Sequence, residues 1–262
     1  MTIVMGGCTM RKIMKQEFFG FFCQRLSNLK HIENLEPAVK TGSAASFNPE
    51  LNILLSAELD ALGKYWAINQ SLGFPNSEQR VGEFLARHAG PAWSQCSHLD
   101  LIRRASAEAK AVRRGHHPKR GELPDPLRQL VDLDRILHED LGPLVWTHSD
   151  ISWQEDPSLD FLSQSSKISA AGIPVEWLRR SRYGEILYRH YRSAWLHALD
   201  PDPELHTEYH RIWDPEHSPY YLWHNSGRAF AIPTEFILHG LETALKAFEV
   251  EIPAGAEIVL RS

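Results

Sequence analysis

A chain of 262 residues, 43% hydrophobic and 23% charged, carries enough apolar side chains for a full core and does not have the composition of a disordered polymer. A net charge of −5 excludes bulk attraction to nucleic acid, so any such binding must rest on local patches. Three cysteines (Cys8, Cys23, Cys96) without CxxC spacing exclude a disulfide framework and fit a reducing cytoplasm, and no apolar run approaches the roughly 20 residues that span a bilayer.

Along the chain, Met1 to Cys8 has no basic leader and too short an apolar stretch for a signal peptide, and residues 1–14 read as a mobile end. From Glu17 to Leu35 apolar residues recur at three- and four-residue steps (Phe18, Phe22, Leu26, Leu29), which predicts a helix; Pro37 to Phe47 reads as a loop. Asn48 can cap the next helix, with Pro49 at its first position and Glu50 at its positive end. Leu51, Leu55, Leu59, Leu62 and Trp66 form its buried stripe. Gly73, Pro75 and Asn76 stop it, and Ser77 is a cap for a helix to about His88. Residues 93–142 read as a basic insertion. It holds a helix from about His98 to Arg113, an exposed basic loop from Gly115 to Gly121, and a helix from Pro126 to Leu141. Pro143 to Gly172 reads as irregular. A long helix is expected from about Val175 to Leu199, ended by Asp200-Pro201-Asp202-Pro203. Short helical turns up to Gly227 follow. Pro233 opens a last helix with Phe236, Ile237, Leu241, Leu245 and Phe248 on one face, and Ala256 to Leu260 suits a short strand. The expected class is mostly α with little or no β structure, in a single domain over residues 1–262.

The chemistry concentrates in Leu187 to His197. Arg192 can hold a phosphate, and His197 can move a proton near neutral pH. On a helical wheel Tyr183, Leu187, Tyr191, Ala194 and Ala198 form the core stripe. Arg182, Glu185, Ile186, Arg189, Arg192, Ser193, Leu196 and His197 fall opposite. Arg192 and His197 lie about 140° apart on this wheel, so a working site needs a second copy of the helix or a kink. The exposed Ile186 and Leu196 would suit contact with such a copy. Arginines cluster at 179, 180, 182, 189 and 192, and Lys or Arg at 103, 104, 110, 113, 114, 119 and 120, as a track for a phosphate backbone. Arg182, Arg189, Ser193, Arg113, Arg114, Lys119 and Arg120 are the candidates for RNA contact.

The run Leu187 to His197, with Arg192, Ser193 and His197 in an arginine–x4–histidine pattern, resembles the motif helix of the HEPN superfamily. Glu58 to Tyr65 is similar to an earlier core helix in many members, and Ile232-Pro233 before the final helix is similar to theirs. The segment from Trp93 to Pro143 stands outside the resemblance. The resemblance implies a HEPN-like helical bundle and a metal-independent endoribonuclease, in a toxin or defence setting. It implies a homodimer joined through the motif helix, with an antitoxin or activator protein as a further partner. His197 would act as general base or acid and Arg192 would stabilise the phosphoryl oxygens, leaving a 2′,3′-cyclic phosphate and a 5′-OH with no cofactor.

Other readings stay open. A catalytically inactive helical module for dimerisation or for binding a partner or RNA is the alternative. His206 and His210 have the spacing of two metal ligands on a helix face, with Asp214, His217 or His224 to complete a site, although Thr207 stands where a metalloprotease needs glutamate. Glu58 or Asp60 could pair with the motif helix and Glu58 could border the site; Tyr188 could assist phosphate binding.

Overall fold

A computed structural model of the protein describes residues 2–5, 8–39, 48–141, 151–152, 156–192, 219–224 and 227–261. Strands β1 (Thr2–Met5) and β2 (Cys8–Met14) lead into helix α1 (Lys15–Val39). Residues 2–5 and 8–14 are therefore strand, not the mobile end expected for 1–14. The spacing in α1 turns Phe18, Phe22, Leu26 and Leu29 inward, all buried, and the helix runs past the expected end through Pro37. Helix α2 (Asn48–Asn69) buries its whole predicted stripe, Leu51 through Trp66. Helix α3 (Ser77–His88) is capped one residue earlier than expected: Asn76 Oδ1 accepts the Gln79 N–H at 2.8 Å, and Ser77 is already helical.

A 3₁₀ turn (Pro91–Ser94) precedes α4 (His98–Arg113), capped by Ser97, and α5 (Pro126–Leu141) follows. Both helices have the bounds expected from sequence. Strand β3 (Ile151–Ser152) and short helices α6 (Leu159–Gln164) and α7 (Ser166–Ala170) occupy part of the stretch expected to be irregular, because Ser158 and Ser165 cap α6 and α7 through their hydroxyls; α8 (Val175–Arg179) begins where the long helix was expected to begin. Helix α9 (Tyr183–Ile186) passes into a π-helical segment (Leu187–Arg192). Strands β4 (Tyr220–His224) and β5 (Gly227–Ala231) form an antiparallel pair, and β4 lies where helical turns were expected; the aromatic run Tyr220 to Trp223 suits a strand. Helix α10 (Thr234–Glu251) and strand β6 (Glu257–Arg261) close the described chain and agree with expectation.

The class is mostly α. Among the described residues, the β structure lies in two small antiparallel sheets of order β1-β2-β6 and β3-β4-β5. The first is sealed by long-range pairing, with Ile13 opposite Ile258. Among the described residues, no helix is long and apolar enough to cross a membrane.

Two apolar cores result. The larger joins α1, α2, α3, α9 and α10 with Tyr221 and Phe230 of the second sheet. The smaller is drawn from Cys96 to Leu178 and joins α4 to α8. The inserted unit is thus larger than the expected 93–142. It leaves and re-enters through adjacent chain segments, where Gln95 bridges Ser158 and Cys96 bridges Arg182.

Candidate functional site

The expected long helix from Val175 is broken before it reaches the motif. Arg182 adopts an extended ψ of 151° between α8 and α9. Its neighbours bond outside the helix: Ser97 N–H donates to Ser181 O at 2.8 Å, and Tyr183 N–H to Gln95 O at 3.1 Å. Those tertiary bonds to the segment after α3 replace bonds that a continuous helix would make.

The consequence is burial on both sides: Tyr183 and Leu187 of the expected core stripe are buried, as expected. Arg182, Glu185 and Ile186, expected outside, are buried. Arg182 Nε donates to both carboxylate oxygens of Glu185 at 3.0 and 3.1 Å, and its Nη2 to Glu83 Oε2 at 3.0 Å. Burial drives the Glu185 carboxyl up to about 7. The same burial opposes charge on Arg182, yet Glu185 and Glu83 outweigh it and hold the guanidinium above its usual value. The two tendencies conflict, and the two-pronged geometry favours the ionised pair. Gly82 makes the space: a Cβ there would lie 2.1 Å from Glu185 Cδ. Arg182 is consequently not a surface for RNA, and Ile186 is not a surface for a second copy.

Arg189 sits on the motif side of this pair, where three elements meet. Its Nη1 donates to Glu78 Oε1 of α3 at 3.2 Å and to Arg180 O at 2.9 Å; its Nη2 donates to Asp100 Oδ1 of α4 at 3.0 Å. Its Nε donates to His190 Nε2 at 3.0 Å. Asp100 Oδ2 accepts the Ser181 hydroxyl at 2.7 Å. Arg104 completes the cluster, with its guanidinium 4.2 Å from the Trp177 ring centroid and Nη1 donating to Trp177 O and Ser181 Oγ. Burial lowers Arg104 to about 10, and Arg180 and Arg189 add to the lowering. This arrangement can hold a backbone segment rigid and can gather positive charge. Asp100, Glu78 and His190 are the partners that sequence reading did not assign to the site, and Arg104 was read only as part of a basic track. They are far apart in the chain, and the signal available was the density of arginine around them.

The other candidates fall elsewhere. Arg113, Arg114, Lys119 and Arg120 are exposed at the end of α4 and in the loop beyond it, as expected for a basic surface. Glu58 pairs with Arg25 of α1 and Asp60 with Arg80 of α3. Glu58 faces a cleft of about 560 Å³ between α1 and α2, walled by Phe18, Phe21, Phe22 and Tyr65. Tyr188 is half-buried against the larger core. Arg192 ends the π-helical segment. Ser193, His197, His206, His210, Asp214 and His217 lie outside the described residues. Among the described residues, no group of three His, Cys, Asp or Glu side chains could hold a metal.

Comparison with family models, with curated proteins and with solved structures finds no match. The functional reading therefore rests on the residues themselves.

Proposed function

We propose that the chain is a metal-independent endoribonuclease of HEPN type that works as a homodimer, with Arg192 and His197 as its catalytic pair. The observation that carries this reading is the anchoring of the residues just before Arg192. Arg189 is tied to α3 through Glu78 and to α4 through Asp100, while Leu187 is packed in the larger core. A catalytic side chain gains from such a fixed base, because its position is set by the scaffold before substrate arrives. The π-helical turn itself is a rare geometry found frequently at functional sites.

In the proposed reaction the RNA 2′-oxygen bonds to the adjacent phosphorus and the bond to the 5′-oxygen breaks. The 2′ proton is removed and the leaving oxygen gains one. His197 carries one of these transfers, and Arg192 stabilises the charge on the phosphoryl oxygens. In a toxin or defence setting, an antitoxin or activator protein would control the dimer.

The test is cleavage of RNA in EDTA by the purified full chain. Wild-type cleavage to cyclic-phosphate ends is expected, with a loss of at least about a hundredfold in His197→Ala and in Arg192→Ala at unchanged melting temperature. Activity that needs added metal, or that survives His197→Ala, refutes the reading. A second reading, a helical module that binds without cutting, is favoured by one observation: Arg182 and Arg189 spend their donors on Glu185, Glu83, Glu78 and Asp100. RNA binding or dimerisation without cleavage, unchanged by His197→Ala, selects it.

A further inference from the structure

The cleft between α1 and α2 brings apolar surface and charge together away from the motif segment. Its volume of about 560 Å³ is that of a small-molecule site, and β2 and β6 contribute Ile13 and Leu260 to its lining. Phe21 and Tyr65 give it aromatic walls, and Phe21 is 56% exposed. The Arg25 guanidinium lies 5.3 Å from the Phe21 ring centroid, so ring and cation hold each other in place.

Glu58 is the buried charge of this lining, with its side chain 5% exposed. Arg25 meets it on one oxygen only: Nε donates to Oε1 at 2.5 Å, and Nη2 approaches the same atom. Glu58 Oε2 and Arg25 Nη1 have no hydrogen-bond partner among the described residues. A buried carboxylate oxygen without a donor costs free energy, and a ligand donor would recover it. The joined pair thus offers an acceptor and a donor side by side. Arg11 and Glu17, both exposed, complete the charged lining, so two arginines face two glutamates. A ligand of one sign would be attracted by half of these groups and repelled by the other half. A zwitterion satisfies both halves. An α-amino acid carries its ammonium and its carboxylate on one carbon, close enough to span two groups that already touch.

We propose that this cleft binds a free α-amino acid with an apolar side chain. Its ammonium donates to Glu58 Oε2, its carboxylate accepts from Arg25, and its side chain covers Phe21 and Tyr65. The proposal is independent of the ribonuclease reading, because no ligand in its test contains a phosphodiester.

Isothermal calorimetry on the full chain tests it. L-phenylalanine and L-leucine are expected to bind. Glycine, which leaves the apolar walls open, should bind about tenfold more weakly or worse. N-acetyl-L-phenylalanine lacks the ammonium and phenethylamine lacks the carboxylate, and each should lose about tenfold or more against L-phenylalanine. Glu58→Gln and Phe21→Ala should each weaken L-phenylalanine about tenfold, with melting temperatures reporting the fold. Should Glu58→Gln fail to fold, Phe21→Ala decides, since its ring is exposed. The proposal is overturned by an absence of binding of both amino acids. It is overturned equally if either one-charge analogue binds as tightly as L-phenylalanine, or if Phe21→Ala binds with wild-type affinity.

Discussion

Asp156 shows how one buried side chain can tie two cores together. Its Oδ1 accepts the His98 N–H at 3.0 Å, its Oδ2 accepts the Tyr183 hydroxyl at 2.7 Å, and the Tyr221 hydroxyl reaches both oxygens at 2.7 Å. Burial raises the carboxyl to about 6 against the lowering by these hydrogen bonds. The folded chain therefore holds this proton more tightly than the unfolded chain does. The resulting stability is complete below about pH 4 and is lost as pH rises through about 6; a shift of this size corresponds to about 3 kcal/mol. Urea unfolding at pH 4 and pH 7 is expected to show the wild-type chain losing about 3 kcal/mol more than Asp156→Asn over that interval. An equal loss in both proteins would remove Asp156 as the source. No local pattern marks this residue: its partners come from α4, α9 and β4, and a lone aspartate before a proline reads as a turn.

At the scale of elements, the crossing of α3 and α9 depends on two glycines. A Cβ on Gly184 would lie 2.8 Å from Gly82 Cα, and a Cβ on Gly82 would enter the Glu185 carboxylate. Gly82→Ala must either push the two helices apart or expel Glu185 from Arg182, so a loss of about 3 kcal/mol or more is expected from denaturant melts, even though alanine favours helix. A loss below about 1 kcal/mol would mean the crossing relaxes without strain. Leu62→Ala, in the fully buried stripe of α2, should cost about 2–5 kcal/mol by the same measurement, and a near-neutral result would place that stripe outside the core. These two changes differ in legibility. The stripe in α2 was readable because a four-, four-, three-, four-residue rhythm repeats locally. The role of Gly82 was not, since a glycine in a helix looks the same whether it faces water or a carboxylate.

Among the described residues, two apolar cores meet at polar contacts such as those of Asp156. The end of α4 and the loop after it carry Arg113, Arg114, Lys119 and Arg120, all exposed, beside left-handed Gly115 and Gly121 with φ of 85° and 88°. Trypsin needs exposed backbone that can open locally, and such loop tips are where nicking concentrates. Limited digestion followed by mass spectrometry should show the first cuts within the described residues at Arg113 to Arg120. Earlier cuts inside α2 or α10 would contradict the packing described. The single basic insertion expected from charge alone covered only the first half of the second unit. Its later helices, α6 to α8, are short, and they join it because Leu162, Ile168, Trp177 and Leu178 meet Leu101 and Leu133 in space.

By itself, the sequence determined those parts whose signals are local. The mostly α class, the bounds of α4 and α5, the buried faces of α2 and α10 and the exposed basic loop follow from periodicity, capping and charge within a few turns. Tertiary structure alone decided the rest. It paired residues 10–14 with 257–261, broke the motif helix at Arg182 and buried Arg182, Glu185 and Ile186. The physical reason is the same in each case. Backbone hydrogen bonds and buried ion pairs between distant segments outweigh the preference of a short stretch for one helix, and neighbouring elements cover the side that a lone helix would leave open.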